Sequence, residues 1–227
     1  LPALGHEGPF RAVAQAILAA FEGSRLEPLV LFSIATGVRQ GELLALRWQD
    51  VDLANRSVTI RHAVDLEGGR RVLSRPKSEQ AHRTIRLPAV ALEALAMRRE
   101  QEQQDRRLAG RQWVDLDLVF PGPRGTIRDG SALTHNFQDR LARHGIEPIR
   151  WHALRRVFAA LLQDSGVPLE RVRDLMGHSQ LQVTEHYAYT LQESLLRDMD
   201  GIDEALASAG RGDGEEGTGT DNSGPLG

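Results

Sequence analysis

The chain has 227 residues, a formal net charge of −3 and 41% hydrophobic residues, which is enough apolar material for one large domain or two small ones. It contains no cysteine, which excludes disulfide bonds and thiolate metal sites. No run of about 18 apolar residues occurs, so the sequence predicts no membrane span, and we expect a cytoplasmic protein. The charge is uneven, because residues 192–227 hold nine acidic and two basic side chains. The rest of the chain is therefore mildly basic, which permits DNA binding without requiring it.

The first third of the chain predicts helices. Residues 11–22 carry apolar side chains at helical spacing, and residues 26–36 are apolar nearly all round, which predicts a buried helix. Gly37 is expected to end that helix. A short helix is predicted over residues 40–48.

The period of the pattern then changes from helical to alternating. Residues 56–60, 70–74 and 83–87 predict three antiparallel strands. Pro88 opens a long helix, whose highly charged stretch at residues 98–107 is predicted to be a solvated face.

The rest of the chain is predicted to be helical after a short extended segment at residues 116–125. Within this part, individual helices are expected over residues 151–164, 168–176, 181–188 and 191–208. From residue 209 onward there is no hydrophobic pattern, so this acidic tail is predicted to be disordered. The predicted fold class is α+β, mostly helical, with a small three-stranded antiparallel sheet.

One residue is conspicuous by its rarity. Lys77 is the only lysine in the chain, which otherwise uses arginine for its positive charges. Arginine is effectively never deprotonated, whereas the lysine ammonium can give up a proton when it is partly buried beside other cations. We therefore expect Lys77 to serve where a proton donor is needed and not charge alone.

Polar side chains without an obvious structural duty interrupt several otherwise apolar segments. The candidate catalytic residues are Arg39, Lys77, His152, Arg155, His178 and Tyr187. Two arginines can hold the non-bridging oxygens of a phosphate through bidentate hydrogen bonds. A tyrosine hydroxyl can attack phosphorus, provided that a base or a positive field assists it. The set therefore favours chemistry at a phosphate diester.

The segments that carry these residues resemble the motifs of the tyrosine recombinases, the phage-integrase family. "TGVRQGELLALRWQDVD" is similar to the family's first arginine motif and matches its catalytic arginine to Arg39. "RPKSEQAHRTIRLP" resembles the strand-hairpin motif, whose lysine corresponds to Lys77. "HALRR" resembles the H-x-x-R motif, with His152 and Arg155 in its two places.

The last two matches lie close together near the C-terminus. "LMGH" resembles the L-G-H motif and supplies His178, and Tyr187 follows nine residues later, where the family places its nucleophile. Two departures accompany the match. Arg156 stands where many members have a second histidine, and Tyr189 stands where many have a histidine after the nucleophile. Tyr189 is the alternative nucleophile, because the chain has only these two tyrosines.

The resemblance implies a reaction. Tyr187 would attack a scissile DNA phosphate, giving a 3′-phosphotyrosyl link and a free 5′-hydroxyl. Arg39 and Arg155, with His178, would stabilise the phosphorane, Lys77 would protonate the leaving 5′-oxygen, and a histidine, His152, would assist proton transfer at the tyrosine. A 5′-hydroxyl of another strand would then reverse the chemistry, with no cofactor and no metal.

The resemblance also implies partners and domain limits. The expected partners are double-stranded DNA attachment sites and three further copies of the chain, in a homotetramer on synapsed DNA. Accessory proteins are compatible with this assembly, and no membrane is involved. Association with the nucleoid is expected when DNA is bound. The catalytic domain is expected over residues 1–208 and the tail over residues 209–227. An N-terminal DNA-clamping domain is expected to be missing. The apolar face of the helix at 191–208 must be buried on its own domain or on a neighbour, and the resemblance favours exchange with a neighbouring protomer.

Two functional alternatives stay open from the sequence: a type IB topoisomerase, which reseals the same strand, and a non-catalytic DNA-binding module of the same fold. Each candidate residue also has a structural interpretation, as a surface arginine, a solvated hairpin lysine or a helix-end histidine. Glu42 and Asp50 are predicted to be ion-paired structural partners, and Trp48, Trp113 and Trp151 to be core residues. A metal pair at the C-terminal histidines is disfavoured, because no cysteine or well-spaced carboxylate joins them.

Overall fold

The computed structural model describes residues 9–74 and 82–176, together with the single positions 199, 202, 203 and 206. The helices within these ranges are α1 (Pro9–Phe21), α2 (Glu27–Thr36), α3 (Gln40–Leu44), α4 (Ala89–Ala109), α5 (Gly130–Arg143), α6 (His152–Asp164) and α7 (Leu169–Leu175). The strands are β1 (Val51–Asp52), β2 (Ser57–Ile60), β3 (Ala63–Glu67), β4 (Arg70–Ser74) and β5 (Arg83–Arg86). No helix of the described part of the chain is both long enough and apolar enough to cross a membrane.

The predicted helices are present with small shifts at their ends. The helix expected over residues 40–48 is shorter, because α3 ends at Leu44 and only a 3₁₀ turn follows at Trp48–Asp50. No bounds were predicted for α5, although its region was expected to be helical. The helices predicted over residues 181–188 and 191–208 lie outside the described residues, apart from the four single C-terminal positions.

Helix α2 is the centre of the fold, and eight of its ten residues are buried. It packs against both α4 and α6. It ends as predicted at Gly37, which has a φ of 61° and donates its N–H to the Ser33 carbonyl oxygen. A Cβ at Gly37 would lie 2.2 Å from Cδ1 of Phe158 in α6. Only glycine fits this left-handed turn, so the chain after α2 can lie directly against α6.

The predicted three-stranded antiparallel sheet is present, but one of its three strands was predicted wrongly. A three-stranded antiparallel sheet has the order β1-β2-β5, in which Val58 of β2 pairs with Ile85 of β5. The predicted strand at residues 70–74 is β4, which pairs only with β3 among the described strands and forms a separate hairpin. Gly68 and Gly69 make its turn with φ angles of 55° and 77°, as two-residue hairpin turns require.

The charged half of α4 corrects a second prediction. Arg98, Glu102 and Asp105 are buried, although the stretch from residue 98 to residue 107 was expected to be solvated. Glu102 accepts a 2.8 Å hydrogen bond from the indole nitrogen of Trp48. Arg98 donates from Nε to the Val119 carbonyl oxygen at 2.8 Å and pairs with Asp105 at 3.0 Å. These charges are tolerated in the interior because each one has partners.

Aromatic packing fixes the start of α6. The ring of Phe137 in α5 stacks on Phe21 of α1 at 5.2 Å and meets the Trp151 ring edge-on at 5.0 Å. Trp151 is buried and directly precedes His152. The core prediction is confirmed for Trp48 and Trp151, whereas Trp113 is half-buried.

The C-terminal positions that the structure describes pack on their own chain. Met199, Ile202 and Leu206 are buried within the hydrophobic core. The Asp203 carboxylate accepts hydrogen bonds from the backbone N–H groups of Ala89 and Val90, at 2.8 and 3.0 Å. Asp203 therefore caps the N-terminus of α4, where a negative charge is favoured. In this chain these side chains pack on their own domain.

Candidate active site

Arg39 lies at the junction between α2 and α3. It has extended backbone angles, φ −68° and ψ 147°, and occupies the N-cap of α3. Its backbone N–H donates to Glu42 Oε2 at 3.0 Å, and its Nη1 donates to Glu42 Oε1 at 2.9 Å. The side chain of Arg39 is nevertheless 43% exposed. The remaining guanidinium N–H groups can therefore meet a ligand while Glu42 holds the backbone N–H and Nη1.

A second arginine shares the same carboxylate. Arg83 of β5 donates from Nη1 and Nη2 to the two oxygens of Glu42, at 3.0 and 2.7 Å. Burial alone would raise the pKa of Glu42, but the hydrogen bonds and charge of Arg83, with those of Arg39, outweigh it and hold the pKa at about 2. The predicted ion pairing of Glu42 is confirmed, and so is that of Asp50, which pairs with Arg61 at 2.9 Å.

Arg83 was not among the residues predicted to belong to the site. Its segment was treated only as a strand, and nothing in an alternating pattern distinguishes a surface arginine from one that meets a buried carboxylate 41 positions away. A usable signal was the buried Glu42, because a lone carboxylate inside a protein requires a cationic partner.

Arg155 approaches the same junction from α6. It is 3% exposed, donates from Nη1 to the Gly37 carbonyl oxygen at 2.5 Å, and donates from Nη2 to the Met176 carbonyl oxygen. Burial, together with the positive charges of Arg39 and Arg83, lowers the pKa of Arg155 to about 10. It therefore stays protonated at neutral pH, and its positive charge is only partly compensated.

His152 is the first residue of α6, one turn before Arg155, and is exposed. The N-cap of α6 is Trp151, so His152 is not the capping residue. Residues three positions apart lie on the same side of a helix. The ring of His152 and the guanidinium of Arg155 therefore belong to one side of α6.

The structure thus brings together some of the predicted residues. Arg39 and Arg155 meet at the Gly37 turn, with His152 one turn away from Arg155. Lys77, His178 and Tyr187 lie outside the described residues.

The described part of the site is cationic. Arg39 and Arg83 both pair with the buried carboxylate of Glu42, and Arg155 lies near enough for the charges of all three to act on it. Such a cluster suits a phosphate, since guanidinium groups bind its oxygens in a fixed geometry. No group of three or more histidine, aspartate or glutamate side chains in residues 9–74 and 82–176 could hold a metal ion.

Comparison with known proteins agrees with this arrangement. The family model described as "Phage integrase family" matches residues 11–193. The chain belongs to the phage integrase family. The match includes all six candidate catalytic residues by position, but it does not by itself assign their roles.

Relatives of this phage integrase family member carry recombinase and integrase names. The XerC-like tyrosine recombinase of Caldanaerobacter subterraneus subsp. tengcongensis is 31% identical over 177 residues, covering 73% of this chain and 45% of the relative. An integrase of Streptomyces ambofaciens is 34% identical over 186 residues, covering 77% of this chain and 46% of the relative. The chain thus spans less than half the length of these relatives.

The fold of this family member also has solved counterparts. The integrase of transposon Tn1549, in a complex with circular intermediate DNA, superimposes with a TM-score of 0.63 and 17% sequence identity. The match covers 86% of this chain and 68% of that one. At this identity the comparison establishes the fold, a mostly helical domain with small antiparallel sheets.

Proposed function

We propose that this chain is the catalytic region of a site-specific DNA recombinase that breaks and rejoins strands through a phosphotyrosine. The observation that supports this most is the buried Arg155 beside the exposed Arg39, in a chain that matches the phage integrase family over residues 11–193. Arg39 and Arg155 are far apart in the sequence, so they are not simply neighbours on the surface of one helix. Within the described residues, the hydrogen bonds of Arg155 go to backbone carbonyl oxygens and not to a carboxylate, which leaves positive charge for an anionic substrate.

In the proposed reaction, the Tyr187 hydroxyl attacks a scissile DNA phosphorus and loses its proton with the help of His152. The bond between phosphorus and the 5′-oxygen breaks as the 3′-phosphotyrosyl bond forms. Lys77 gives its proton to the departing 5′-oxygen, so that a free 5′-hydroxyl results. The phosphotyrosine conserves the phosphodiester bond energy, and a 5′-hydroxyl from another strand can attack it and release Tyr187.

The arginines act on the charge of the phosphorane. Arg39 and Arg155, with His178, donate hydrogen bonds to its non-bridging oxygens, and preorganised donors of this kind typically supply 10²–10³-fold in rate each, on the order of a few kcal/mol. Glu42 holds Arg39 by hydrogen bonds, and Arg83 in turn holds Glu42. Little rearrangement of Arg39 is therefore needed when charge develops on the phosphorane.

The proposed substrate is a pair of double-stranded DNA attachment sites, held by a homotetramer. Two of the comparisons support a DNA substrate, since the relatives are named as recombinases and the Tn1549 integrase was solved with DNA. They give no support to the topoisomerase alternative. The catalytic region is proposed to extend over residues 1–208, with residues 209–227 as an acidic tail.

The test is a recombination assay with two candidate attachment sites, one supercoiled and one linear and end-labelled. We expect the wild-type chain, tested with its natural flanking sequence where present, to yield recombined DNA in which the two sites are joined. Arg155→Ala should yield none. Arg156→Ala is the matched control, because Arg156 is the neighbouring exposed arginine of α6 and should retain most of the activity. Relaxation of the supercoiled substrate without joining would favour the topoisomerase alternative, and DNA binding without cleavage would favour the non-catalytic one.

A further inference from the structure

The β3–β4 hairpin is anchored differently from the rest of the sheet structure. It is not paired with β1, β2 or β5 in the described part of the chain. Its own register joins Ala63 to Ser74 and Glu67 to Arg70. From Ser74 the chain continues into the segment that contains Lys77, three residues farther on. Whatever orients this hairpin therefore also sets where the segment with Lys77 begins.

One side of the hairpin rests on α3. A Cβ at Gly41 would lie 3.4 Å from the Val64 carbonyl oxygen and 3.9 Å from Ala63 Cβ. Gly41 follows Arg39 by two residues, so β3 lies against the helix turn that begins at the catalytic arginine. This contact fixes the base of β3.

The other strand is separated from α5 by an open cleft of about 320 Å³. The Arg71–Asp129 ion pair spans this cleft, because both residues line it and Arg71 Nη2 donates to Asp129 Oδ2. Close packing does not hold β4 to α5 here. The ion pair is the described contact that does so.

Asp129 is itself held rigidly. Its Oδ1 accepts hydrogen bonds from the backbone N–H groups of Ser131 and Ala132, at 2.8 and 3.0 Å, which makes it the N-cap of α5. The α5 terminus is tied in turn to α3, since Gln40 Nε2 donates to the Gly130 carbonyl oxygen at 3.1 Å. A continuous path therefore leads from the residue next to Arg39, through the end of α5, to Arg71.

We propose that the Arg71–Asp129 ion pair is a positioning contact that sets the β3–β4 hairpin, and with it Lys77, relative to the arginines of the site. This rests on the proposed function of Lys77 as proton donor. On the far side of Lys77, Arg83 makes the corresponding anchor through Glu42. Arg71 and Arg83 each lie six residues from Lys77, so each side of Lys77 is followed in the chain by an arginine whose own contacts are described.

The pair is suited to positioning more than to stability. Both side chains are 40% exposed, and exposed ion pairs contribute little to the free energy of unfolding. Loss of the pair should therefore leave the fold intact. Its effect should appear in the step that needs the lysine proton, and not in the binding of DNA.

The experiment measures single-turnover cleavage by the chain on two versions of one nicked attachment site. One version has an ordinary phosphate, and the other has sulfur in place of the 5′-bridging oxygen. A thiolate leaving group needs no proton, so cleavage of the sulfur substrate does not depend on Lys77. The variants are Arg71→Glu and Asp129→Asn, since asparagine keeps the N-cap of α5 while removing the charge. Arg70→Glu is the control for charge, because Arg70 is the neighbouring exposed arginine of β4.

We expect Arg71→Glu to cleave the ordinary substrate about fivefold more slowly and Asp129→Asn about threefold more slowly, with wild-type rates on the sulfur substrate. The double variant Arg71→Glu/Asp129→Asn should be no slower than the slower of its two single variants, as for residues that act as a pair. Arg70→Glu should match the wild type in the ratio of the two rates. Equal losses on both substrates, or no loss on the ordinary one, would overturn the positioning role.

Failure of the proposed function gives a different pattern. If the wild type cleaves neither substrate, or if Lys77→Ala is not rescued by sulfur, the assignment of Lys77 itself is wrong. If Lys77→Ala is rescued and Arg71→Glu behaves as the wild type, only the positioning role fails.

Discussion

Glu42→Gln replaces the buried carboxylate between Arg39 and Arg83 with an amide of nearly the same shape. The amide keeps one oxygen for hydrogen bonding but removes the negative charge that compensates the two guanidinium groups. The NH₂ group of the amide is a donor, and it would face the N–H donors of the arginines where the carboxylate oxygen had accepted from them. The substitution therefore isolates the electrostatic role of Glu42 from its volume.

The expected size of the effect follows from the pKa of Glu42, which is lowered from 4.5 to about 2. At about 1.4 kcal/mol per pKa unit, this corresponds to about 3 kcal/mol of stability at neutral pH. The side chain is only 5% exposed, so solvent screening does not reduce this figure greatly. A carboxylate with a lowered pKa stabilises the folded state above the unfolded pKa, near 4.5. That contribution is lost as the pH falls from about 4.5 towards 2.

Urea unfolding at several pH values between 7 and 3 measures this directly. We expect Glu42→Gln to be less stable than the wild type by about 3 kcal/mol at pH 7, with the difference shrinking below about pH 4.5. Glu67→Gln, at the exposed end of β3, is the control and should differ from the wild type by less than about 0.5 kcal/mol. A difference at pH 7 no larger than that of the control, or one that does not change with pH, would refute the electrostatic account of Glu42.

Three further predictions concern the backbone, the proton donor and the C-terminal contact. Gly37→Ala should destabilise the fold by about 2–4 kcal/mol in thermal unfolding, because the added Cβ meets the Phe158 ring. Gly68→Ala, with a similar φ and open space around it, is the control and should cost only about 1 kcal/mol. Equal losses in the two variants would contradict the close approach of Gly37 to Phe158. Lys77→Arg should slow cleavage of an ordinary phosphate by about 10²-fold and regain it on a 5′-bridging sulfur substrate, whereas no recovery would leave Lys77 as a phosphate contact only. Asp203→Ala should lower the free energy of unfolding by about 1 kcal/mol and Asp203→Asn by less, since asparagine can still cap α4; no loss with alanine would show that the C-terminal positions do not pack on their own chain in solution.

The parts of the fold that were predictable are those in which local pattern and burial agree. Helix α2 is apolar nearly all round because it is surrounded by other elements, and Gly37 marks its end through a conformation that only glycine adopts readily. The ion pairing of Glu42 and Asp50 was also predictable, because a carboxylate in an apolar segment needs a partner. The identity of that partner was not, since Arg83 reaches Glu42 only through the pairing of β5 with β2.

The wrong predictions share a tertiary cause. Arg98, Glu102 and Asp105 read as a solvated face because their stretch is almost entirely polar, yet Trp48 and the Val119 carbonyl approach them from distant parts of the chain. The strand at 70–74 was assigned to the main sheet because an alternating pattern does not specify its partner. At the site, the motifs supplied Arg39, His152 and Arg155 as candidates, but the ion pair of Arg71 with Asp129 joins two surface residues that no motif distinguishes.

The central claim is that one particular tyrosine becomes covalently joined to DNA, and identification of that tyrosine tests it most directly. The chain is incubated with a nicked candidate attachment site, the denaturant-resistant adduct is digested with protease and nuclease, and the modified peptide is sequenced by mass spectrometry. We expect a 3′-phosphonucleotide on Tyr187 and a free 5′-hydroxyl on the released strand. An adduct on Tyr189, or the absence of any adduct at a site that the chain demonstrably binds, would contradict it.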